Sequence, residues 1–434
     1  MKRVSQRLGI FVSPHPSAWI SCNSIGPNLV KSYQMLAKDA SFTTEWFSVS
    51  RQEEELDQRI GTGYFVELAE QILRSRVTDL IFLDHQINPL PILLALQACA
   101  GQQFKNFRFC FHVYGDFTLF PKRWFDIGQV LHGLRAKFIC ASDRQQGLVS
   151  FFERGGKSAT SVCPFPVNTQ LFRFSEKSRF QVRKKLGFRE NQTLLLYTGR
   201  LSLQKGIIRL IEEFERLIQL DSQLALALAG PYDHLGGMTS GITAPHSFYF
   251  HQLQEKLDSL PNKVRERIFL LGELPHQELA AVYSAADLFV SLSLHHDEDF
   301  GMCPAEAFSS GLPGILNDWG GYASFKSDGV PCELVPVSLS KRGLELDSVV
   351  LKSLLDAGIK KRHGIEERLR VGEEFAKKFG IAAVAEKMKP QLLAQSYEAI
   401  QGFDWSLEML SRQGVLTGEF YNDVYGRYVE SPSH

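Results

Sequence analysis

Short runs of apolar residues alternate along the chain with stretches in which apolar positions recur every three or four residues. The short runs predict buried strands, and the recurring positions predict helices with one buried face. This alternation is typical of a parallel α/β sheet. In the first half, strands are predicted at 9–12, 44–49, 79–83, 107–111 and 138–141.

The first strand is followed by a loop rich in Pro and Ser. We expect this loop to reach Gly26-Pro27 and a helix to follow it as far as Lys38. The second half repeats the alternation, with a helix predicted at 346–361 and another at 381–400. Its strands are predicted at 193–198, 224–229, 268–271, 287–292 and 330–337. A chain of 434 residues exceeds one ordinary core, so we expect two domains of about 150–250 residues each.

The stretch 290–325 reads as a strand, a polar loop, a helix, a tight turn, a short strand and a Gly-Gly loop. Two carboxylates, Glu298 and Glu306, flank the loop-to-helix turn with seven residues between them. The amides of 300–303 should lie near the N-terminus of a helix that opens at Pro304. Unpaired amides and the helix dipole bind anions. The combination suits a ligand with phosphates in its middle and hydroxyl-rich sugars at both ends.

Two cations follow the strand 193–198. Arg200 and Lys205 lie on a short strand-to-helix loop, in the sequence Gly199-Arg200-Leu201-Ser202-Leu203-Gln204-Lys205-Gly206. The carboxyl edge of an open α/β sheet is where ligands bind. An Arg fork and a Lys point charge suit a diphosphate there. The alternative is that both are surface cations beside a loop.

These motifs resemble the donor site of retaining nucleotide-sugar glycosyltransferases of the GT-B architecture, in their fourth sequence family. The resemblance is carried by Gly199-Arg200, Lys205-Gly206, Glu298-Asp299-Phe300-Gly301, Glu306-Ala307, Gly311-Leu312-Pro313 and Gly320-Gly321. It implies an α/β fold of two facing Rossmann-like domains with parallel sheets and a C-terminal helix that crosses back to the first domain. We expect an acceptor-side domain at 1–172 plus 381–434, and a donor-binding domain at 173–380.

The resemblance also implies roles for individual residues. Glu306 would accept hydrogen bonds from ribose hydroxyls, Glu298 would hold the donor sugar, and the backbone near Leu274 would meet the base. The implied catalytic residues are His112, Arg200, Lys205 and Glu298. The implied donor-binding residues are Gly199, Arg200, Lys205, Leu274, Glu298, Phe300, Gly301, Met302 and Glu306.

The sequence motifs on the acceptor side match those of the family less completely. His112 follows the strand 107–111, where the family has a His that reaches the donor sugar and the acceptor hydroxyl; a lone His there can equally be structural. The first loop has one glycine where the family has a pair. Four residues near strand ends are assigned to the acceptor side, namely Gly26, Asn28, His85 and Asp116.

The implied activity is transfer of a hexose from a UDP-, GDP- or ADP-sugar to a hydroxyl of a glycan, a lipid-linked sugar or a small molecule, as in polysaccharide biosynthesis. We expect no metal and no cofactor, because two cations and a helix end replace a metal. The alternatives are a non-catalytic partner subunit and a sugar-nucleotide epimerase. A glycan phosphorylase would need a cofactor lysine and a larger chain.

Composition restricts the functional class and the cellular compartment that we expect for the protein. Basic and acidic residues balance at 48 each, which excludes a general nucleic-acid binder. Seven scattered cysteines without a C-x-x-C pair indicate a reducing compartment, so we expect a cytoplasmic protein. Basic residues at Lys2, Arg3, Arg7, Lys31 and Lys38 leave peripheral contact with the inner face of a membrane open. The aromatic tail 402–434 is expected to pack on the first domain.

Overall fold

The computed structural model describes residues 6–17, 20–84, 86–114, 117–118, 120–232, 248–294, 298–340 and 343–412. Within these residues the chain forms two compact units. The first unit runs to Pro166 and resumes at Ile381, and the second spans Val167–Gly380. The domain boundary predicted at 172/173 and the donor and acceptor roles of the domains stay predictions.

Strands and helices alternate through the first unit. The strands are β1 (Gln6–Val12), β2 (Phe42–Ser48), β3 (Asp79–Phe82), β4 (Arg108–His112), β5 (Arg135–Cys140) and β6 (Thr160–Val162). The helices are α1 (Cys22–Leu36), α2 (Arg51–Ile60), α3 (Tyr64–Ser75), α4 (Pro89–Ala100), α5 (Pro121–Val130) and α6 (Asp143–Phe152). Short 3-10 turns occupy Gly101–Asn106 and Gly156–Ala159.

The first sheet is parallel in the order β2-β1-β3-β4-β5-β6. A row of stacked rings crosses four neighbouring strands, with centroid distances of 4.6 Å for Phe11–Phe82, 5.1 Å for Phe82–Phe111 and 5.4 Å for Phe111–Phe138. The central strands β3, β4 and β5 are almost wholly buried, as in a sheet covered by helices on both faces, whereas the edge strand β2 is partly exposed. The stacked rings form the centre of the first core.

The second unit has the same alternation. Its strands are β7 (Thr193–Thr198), β8 (Leu224–Ala229), β9 (Ile268–Gly272), β10 (Leu288–Ser291), β11 (Gly314–Asn317), β12 (Cys332–Val335), β13 (Val337–Ser340) and β14 (Gly343–Leu346). Its helices are α7 (Glu176–Lys185), α8 (Ile207–Leu217), α9 (Phe248–Ser259), α10 (Asn262–Arg265), α11 (His276–Ala285), α12 (Met302–Ser309), α13 (Tyr322–Ser327), α14 (Ser348–Gly358) and α15 (Ile365–Phe379). A 3-10 turn, Leu203–Lys205, precedes α8.

The second sheet is parallel in the order β12-β11-β10-β7-β8-β9, and β13 with β14 forms a separate antiparallel hairpin. From β7 the chain builds outward through β8 and β9, and then returns to the other side of β7 with β10. The strand order therefore reverses between β7 and β10. In open α/β sheets this reversal leaves a crevice at the carboxyl ends of the two strands.

The chain returns to the first unit at Ile381. It adds α16 (Ile381–Met388), the short strand β15 (Glu398–Ala399) and α17 (Trp405–Arg412), with 3-10 turns at Lys389–Leu392 and Ala394–Ser396. α16 packs on α1, and β15 pairs antiparallel with β5. None of the helices in the described ranges is long and apolar enough to cross a bilayer. The tail beyond residue 412 lies outside the described residues.

The fold confirms the predicted α/β class with parallel sheets and corrects several elements. α1 begins at Cys22, so Gly26 and Pro27 lie inside this helix and not in the preceding loop. Its buried face already starts at Cys22, and packing of that face overrides the local signal of the proline. The helix predicted at 381–400 ends at Met388, because Pro390 follows and the chain turns toward β5. α7 and α15 were not predicted, because both sequences are highly charged and the buried face of each includes an arginine, Arg183 on α7 and Arg368 on α15.

Candidate functional site

The donor-binding residues predicted in the second unit lie at the carboxyl edge of its sheet. β7 leads into the loop that carries Arg200 and Lys205, and neighbouring β10 leads into the loop that ends at Glu298. These are the two strands between which the strand order reverses. The sequence motifs therefore converge on the crevice expected to bind a ligand in this type of sheet.

Lys205 and Glu298 form an ion pair across the two loops. The distance from Lys205 Nζ to Glu298 Oε2 is 2.6 Å, and Ser293 Oγ donates to the same oxygen at 2.7 Å. The two charged side chains are only 16% and 11% exposed. A carboxylate in this setting needs such donors, because little water remains to solvate it.

Close backbone contacts bring the two loops together. Gly206 has a left-handed φ of 68°, and a Cβ at this position would lie 2.5 Å from the carbonyl oxygen of Leu292. The N–H of Leu294 donates to the carbonyl of Gln204 at 2.9 Å. Only glycine fits here, which gives the Lys205-Gly206 motif a steric reason. Lys205 is thereby held beside the loop of Glu298.

The Gly-Gly pair supports the backbone of Glu298 from the other side. The N–H of Gly321 donates to the carbonyl of Glu298 at 2.6 Å, and a Cβ on Gly320 would lie 2.1 Å from that oxygen. Asn317, at the end of β11, donates from Nδ2 to the carbonyl of Ser293 at 3.1 Å. Ser293 and Asn317 were missed by the sequence analysis; a polar residue that ends a buried strand was their only signal.

Glu306 is buried on α12, with 4% of its surface exposed. The Tyr283 hydroxyl lies 3.1 Å from Glu306 Oε2, 3.0 Å from the carbonyl oxygen of Cys303 and 2.7 Å from Thr198 Oγ1. Burial, with the nearby Glu306, raises the pKa of Tyr283 well above its ordinary value, so this hydroxyl keeps its proton. Tyr283 was not predicted as a site residue, because it occupies an apolar position of α11.

α12 begins at Met302, two residues before the predicted start at Pro304. Gly301 precedes it with φ 96°, and a Cβ there would lie 2.4 Å from the Tyr322 ring. The side chains of Phe300 and Met302 are buried, and the Phe300 ring lies 5.2 Å from that of Phe325. Any ligand contact of these residues would therefore come from their amides at the helix N-terminus.

Each of the strands β7, β8 and β9 ends at a glycine or is followed directly by one. The N–H of Gly199 donates to the carbonyl of Ala229 at 2.9 Å, and the N–H of Gly230 donates to that of Gly272 at 2.8 Å. Arg200 is half-buried after the first of these turns, and Tyr197 donates to its carbonyl at 2.9 Å. Leu274, also half-buried, lies on the turn after β9.

Cys303 is the cysteine of the candidate site. It occupies the first turn of α12, and burial raises the pKa of its thiol to about 12, with Glu306 adding to the rise. No role in the site was predicted for its side chain. Its position between Met302 and Pro304 in the motif was the signal that it faces the site.

The predicted acceptor-side residues lie in the first unit. His112 ends β4 and is 5% exposed, and its Nε2 shares a hydrogen bond of 2.8 Å with the Tyr33 hydroxyl. Burial lowers the pKa of His112 to about 3. Asn28 donates from Nδ2 to the carbonyl of Pro166 at 3.0 Å, and Gly26 lies two residues earlier on α1. The other two predicted residues, His85 and Asp116, lie outside the described residues.

Within the described part of the chain, no group of three or more His, Cys, Asp or Glu side chains is arranged to hold a metal ion. The polar groups that do converge at the second sheet's edge are one ion pair, a second buried carboxylate and a helix N-terminus.

The fold is that of the GT-B glycosyltransferases. The chain is similar to Anabaena HepE solved in complex with UDP, with a TM-score of 0.62 and 16% identity over 89% of this chain and 99% of that one. It is also similar to sucrose-phosphate synthase from Thermosynechococcus elongatus, with a TM-score of 0.59 and 18% identity over 89% and 98% of the two chains. At these identities the likeness shows the fold alone.

The second unit carries the family signature. The sequence profile of the family "Glycosyl transferases group 1" matches residues 178–345. Mannosylfructose-phosphate synthase of Agrobacterium fabrum is 31% identical over 36% of this chain and 31% of its own length. Lipopolysaccharide 1,2-N-acetylglucosaminetransferase of Salmonella typhimurium is 27% identical over 54% and 56%. The chain thus spans between about a third and about half of the relatives it matches.

Proposed function

We propose that the protein transfers a hexose from a nucleoside-diphosphate-sugar to an acceptor hydroxyl, with retention of configuration at the anomeric carbon. One observation carries this proposal: Lys205, Glu298, Glu306 and the N-terminus of α12 converge at the carboxyl edge where the strand order reverses. The family match over residues 178–345 supports it.

Each group in the site suits one part of such a donor. Glu306 can accept bonds from both ribose hydroxyls, because a carboxylate offers about four lone-pair sites. Arg200, Lys205 and the amides of α12 complement the diphosphate. Glu298 suits the sugar hydroxyls, and the backbone near Leu274 suits the base. The ion pair places Lys205, proposed for the diphosphate, next to Glu298, proposed for the sugar hydroxyls.

The chemistry follows from these charges. The bond between the anomeric carbon and the diphosphate oxygen breaks, and negative charge develops on the diphosphate. Arg200, Lys205 and the helix end stabilise that charge; loss of one such pre-placed donor typically costs about 3–4 kcal/mol, or 10²–10³ in rate. The acceptor oxygen bonds to the anomeric carbon on the face that the diphosphate leaves, and its proton passes to the departing phosphate oxygen. We propose that no metal and no cofactor takes part.

UDP-sugars are the first donors to test, with GDP- and ADP-sugars beside them. HepE structures hold UDP, UDP-glucose, and UDP with glucose. The Salmonella relative is a lipopolysaccharide N-acetylglucosaminetransferase, and a Rhizobium relative, 28% identical over 198 residues, is a lipopolysaccharide core mannosyltransferase. We therefore propose a role in glycan or polysaccharide biosynthesis, with a hydroxyl of a glycan, a lipid-linked sugar or a small molecule as the acceptor. The proposed place is the cytoplasm, including the inner face of a membrane.

A thermal-shift and product-release screen tests the proposal. UDP-, GDP- and ADP-sugars are added to the wild type, Lys205→Ala and Glu306→Ala, with Lys326→Ala, an exposed lysine paired with Glu333, as the control. One nucleotide family should stabilise the wild type and the control clearly more than either site variant. Release of the nucleoside diphosphate would show a live transferase.

The remaining outcomes separate the alternatives. Stabilisation without release, even with acceptors supplied, would favour a non-catalytic partner subunit. Conversion of the donor into an isomeric sugar nucleotide would favour an epimerase. No stabilisation by any donor would overturn the proposed function.

A further inference from the structure

We propose that Tyr283 is a positioning residue for ribose recognition: its hydroxyl orients the Glu306 carboxylate, so that the site distinguishes a ribonucleoside diphosphate from its dideoxy counterpart. This inference rests on the proposed function. It concerns a residue that none of the sequence motifs includes, since Tyr283 lies on α11 before the stretch that carries both glutamates.

The environment of the Tyr283 hydroxyl is the first support. Three oxygens surround it: Thr198 Oγ1 at 2.7 Å, the Cys303 carbonyl at 3.0 Å and Glu306 Oε2 at 3.1 Å. A phenol has one hydrogen to donate and can accept as well. The two other oxygens, on Cys303 and Glu306, both belong to α12 and cannot donate, whereas the Thr198 hydroxyl can. The arrangement is satisfied when Thr198 donates to Tyr283 and Tyr283 donates toward α12.

The burial of Glu306 is the second support. The residue is 4% exposed, so its charge depends on hydrogen bonds from the protein or from a ligand. A bond from Tyr283 to Oε2 restricts rotation of the carboxylate about its last torsion. Its remaining lone-pair sites then keep one orientation. Two vicinal ribose hydroxyls require such a fixed orientation, because both must donate to the same carboxylate.

The main chain fixes where the Tyr283 hydroxyl lies. The Arg368 guanidinium, on α15, is buried with 3% exposure and donates to the Tyr283 carbonyl at 2.8 Å, the Ser284 carbonyl at 2.9 Å and the Ser310 carbonyl at 3.1 Å. It thereby ties the end of α11, which carries Tyr283, to the end of α12, which carries Glu306. The Tyr283 ring packs edge-on against Phe172, with centroids 5.8 Å apart. The pair is therefore set before a ligand binds.

Calorimetric titration of Tyr283→Phe tests the inference, because this change removes only the hydroxyl. Kd is measured for UDP, GDP and ADP, and then for the 2′,3′-dideoxy form of the nucleotide that binds. The wild type should prefer the ribonucleotide by about tenfold or more, the ratio that one lost hydrogen bond to a charged group gives. Tyr283→Phe should reduce this ratio several-fold, through weaker binding of the ribonucleotide and little change for the dideoxy form.

Two further variants make the result specific. Glu306→Ala should abolish the preference, and adding Tyr283→Phe to it should change nothing further, since Tyr283 acts through Glu306. Tyr322→Phe removes another buried hydroxyl of the same unit, which bonds Ser291 Oγ at 3.0 Å, and should keep the wild-type ratio.

Three outcomes would overturn the inference. They are an unchanged ratio in Tyr283→Phe, an equal loss of affinity for both nucleotides in that variant, and a ratio that Glu306→Ala does not alter. In each of these the wild type still binds a nucleotide, so the proposed transferase activity stands, although the third outcome would remove the ribose-binding role of Glu306. Failure of the wild type to bind any of the three ribonucleotides would instead remove the proposed function itself.

Discussion

Lys205 and Glu298 lie 93 positions apart in the sequence, yet Lys205 Nζ is 2.6 Å from Glu298 Oε2. The pair joins the loop after β7 to the loop after β10, on the two sides of the strand-order reversal. Both side chains are more than four-fifths buried. Two groups proposed for different parts of one donor, its diphosphate and its sugar hydroxyls, are thus paired with each other in the protein alone.

The pair should be coupled in stability. Lys205→Met and Glu298→Gln each leave a largely buried charge without its partner, and each is expected to lower the free energy of unfolding. The double variant removes both charges, so it should lose less than the sum of the two single losses, with a coupling of about 1–3 kcal/mol. Urea denaturation of the four proteins measures this coupling. Additive losses would show that the pair adds nothing beyond its separate contacts.

Gly206 should resist substitution for reasons of backbone geometry. Its φ is 68°, and a Cβ would lie 2.5 Å from the Leu292 carbonyl oxygen. Gly206→Ala is therefore expected to cost about 1–3 kcal/mol and to separate the two loops, which also weakens donor binding. Thermal unfolding and donor titration measure both effects.

Gly147 provides the matched control for that substitution. It lies within α6, and a Cβ added to it would meet nothing within 4 Å. Gly147→Ala should stabilise the protein by about 0.5–1 kcal/mol. If Gly206→Ala behaved in the same way, the steric account of the Lys205-Gly206 motif would be wrong.

The strands and the donor motifs could be predicted from the sequence because their signals are local. The apolar run at β7 was predicted with the bounds Thr193–Thr198 that the structure shows. Glu298 and Glu306 were identified as site residues from the glycines and prolines that lie near them in the sequence. Their association with Lys205 followed from the rule that parallel strands end at one edge of a sheet.

The partners of these residues could not be predicted in the same way. Tertiary contacts bring Tyr283, Ser293 and Asn317 to the site. Tyr283 occupies an apolar position of its helix, and a tyrosine at such a position usually belongs to the core. The start of α1 was mispredicted because Pro27 is a strong local signal, while the packing that overrides it depends on distant residues. Arg368 lies beyond every motif, and its role depends on carbonyls at two helix ends.

His112 should make the protein less stable in mild acid. Burial lowers its pKa to about 3 from an ordinary value of 6.5, so between these values the unfolded chain binds a proton that the folded chain does not. Stability is therefore complete above pH 6.5 and falls as the pH decreases, by at most about 1.4 kcal/mol per pH unit. His112→Gln should show a smaller fall in urea denaturation between pH of about 7 and about 5. Equal falls in both proteins would contradict the buried neutral imidazole.

Turnover should not require a divalent metal. In the proposed mechanism, Arg200, Lys205 and the N-terminus of α12 supply the positive potential that a metal supplies elsewhere. Product release in the presence of EDTA is expected to match that in buffer. Loss of turnover in EDTA, with recovery on addition of Mg²⁺ or Mn²⁺, would show that a metal takes part and that these cations are insufficient.

Cys303 should react slowly with thiol reagents despite its place in the candidate site. Iodoacetamide reacts with the thiolate, and burial with the nearby Glu306 raises the pKa of this thiol to about 12.

Cys99, on the surface of α4, is the exposed cysteine of the chain and should take up the first label. In Cys99→Ser, mass spectrometry of peptides from the folded protein should find Cys303 unlabelled, and unfolding in urea should expose it. Donor binding by Cys99→Ser should then survive treatment with iodoacetamide, because the thiol beside Glu306 stays protonated. Rapid labelling of Cys303 in the folded protein would contradict the raised pKa of this thiol.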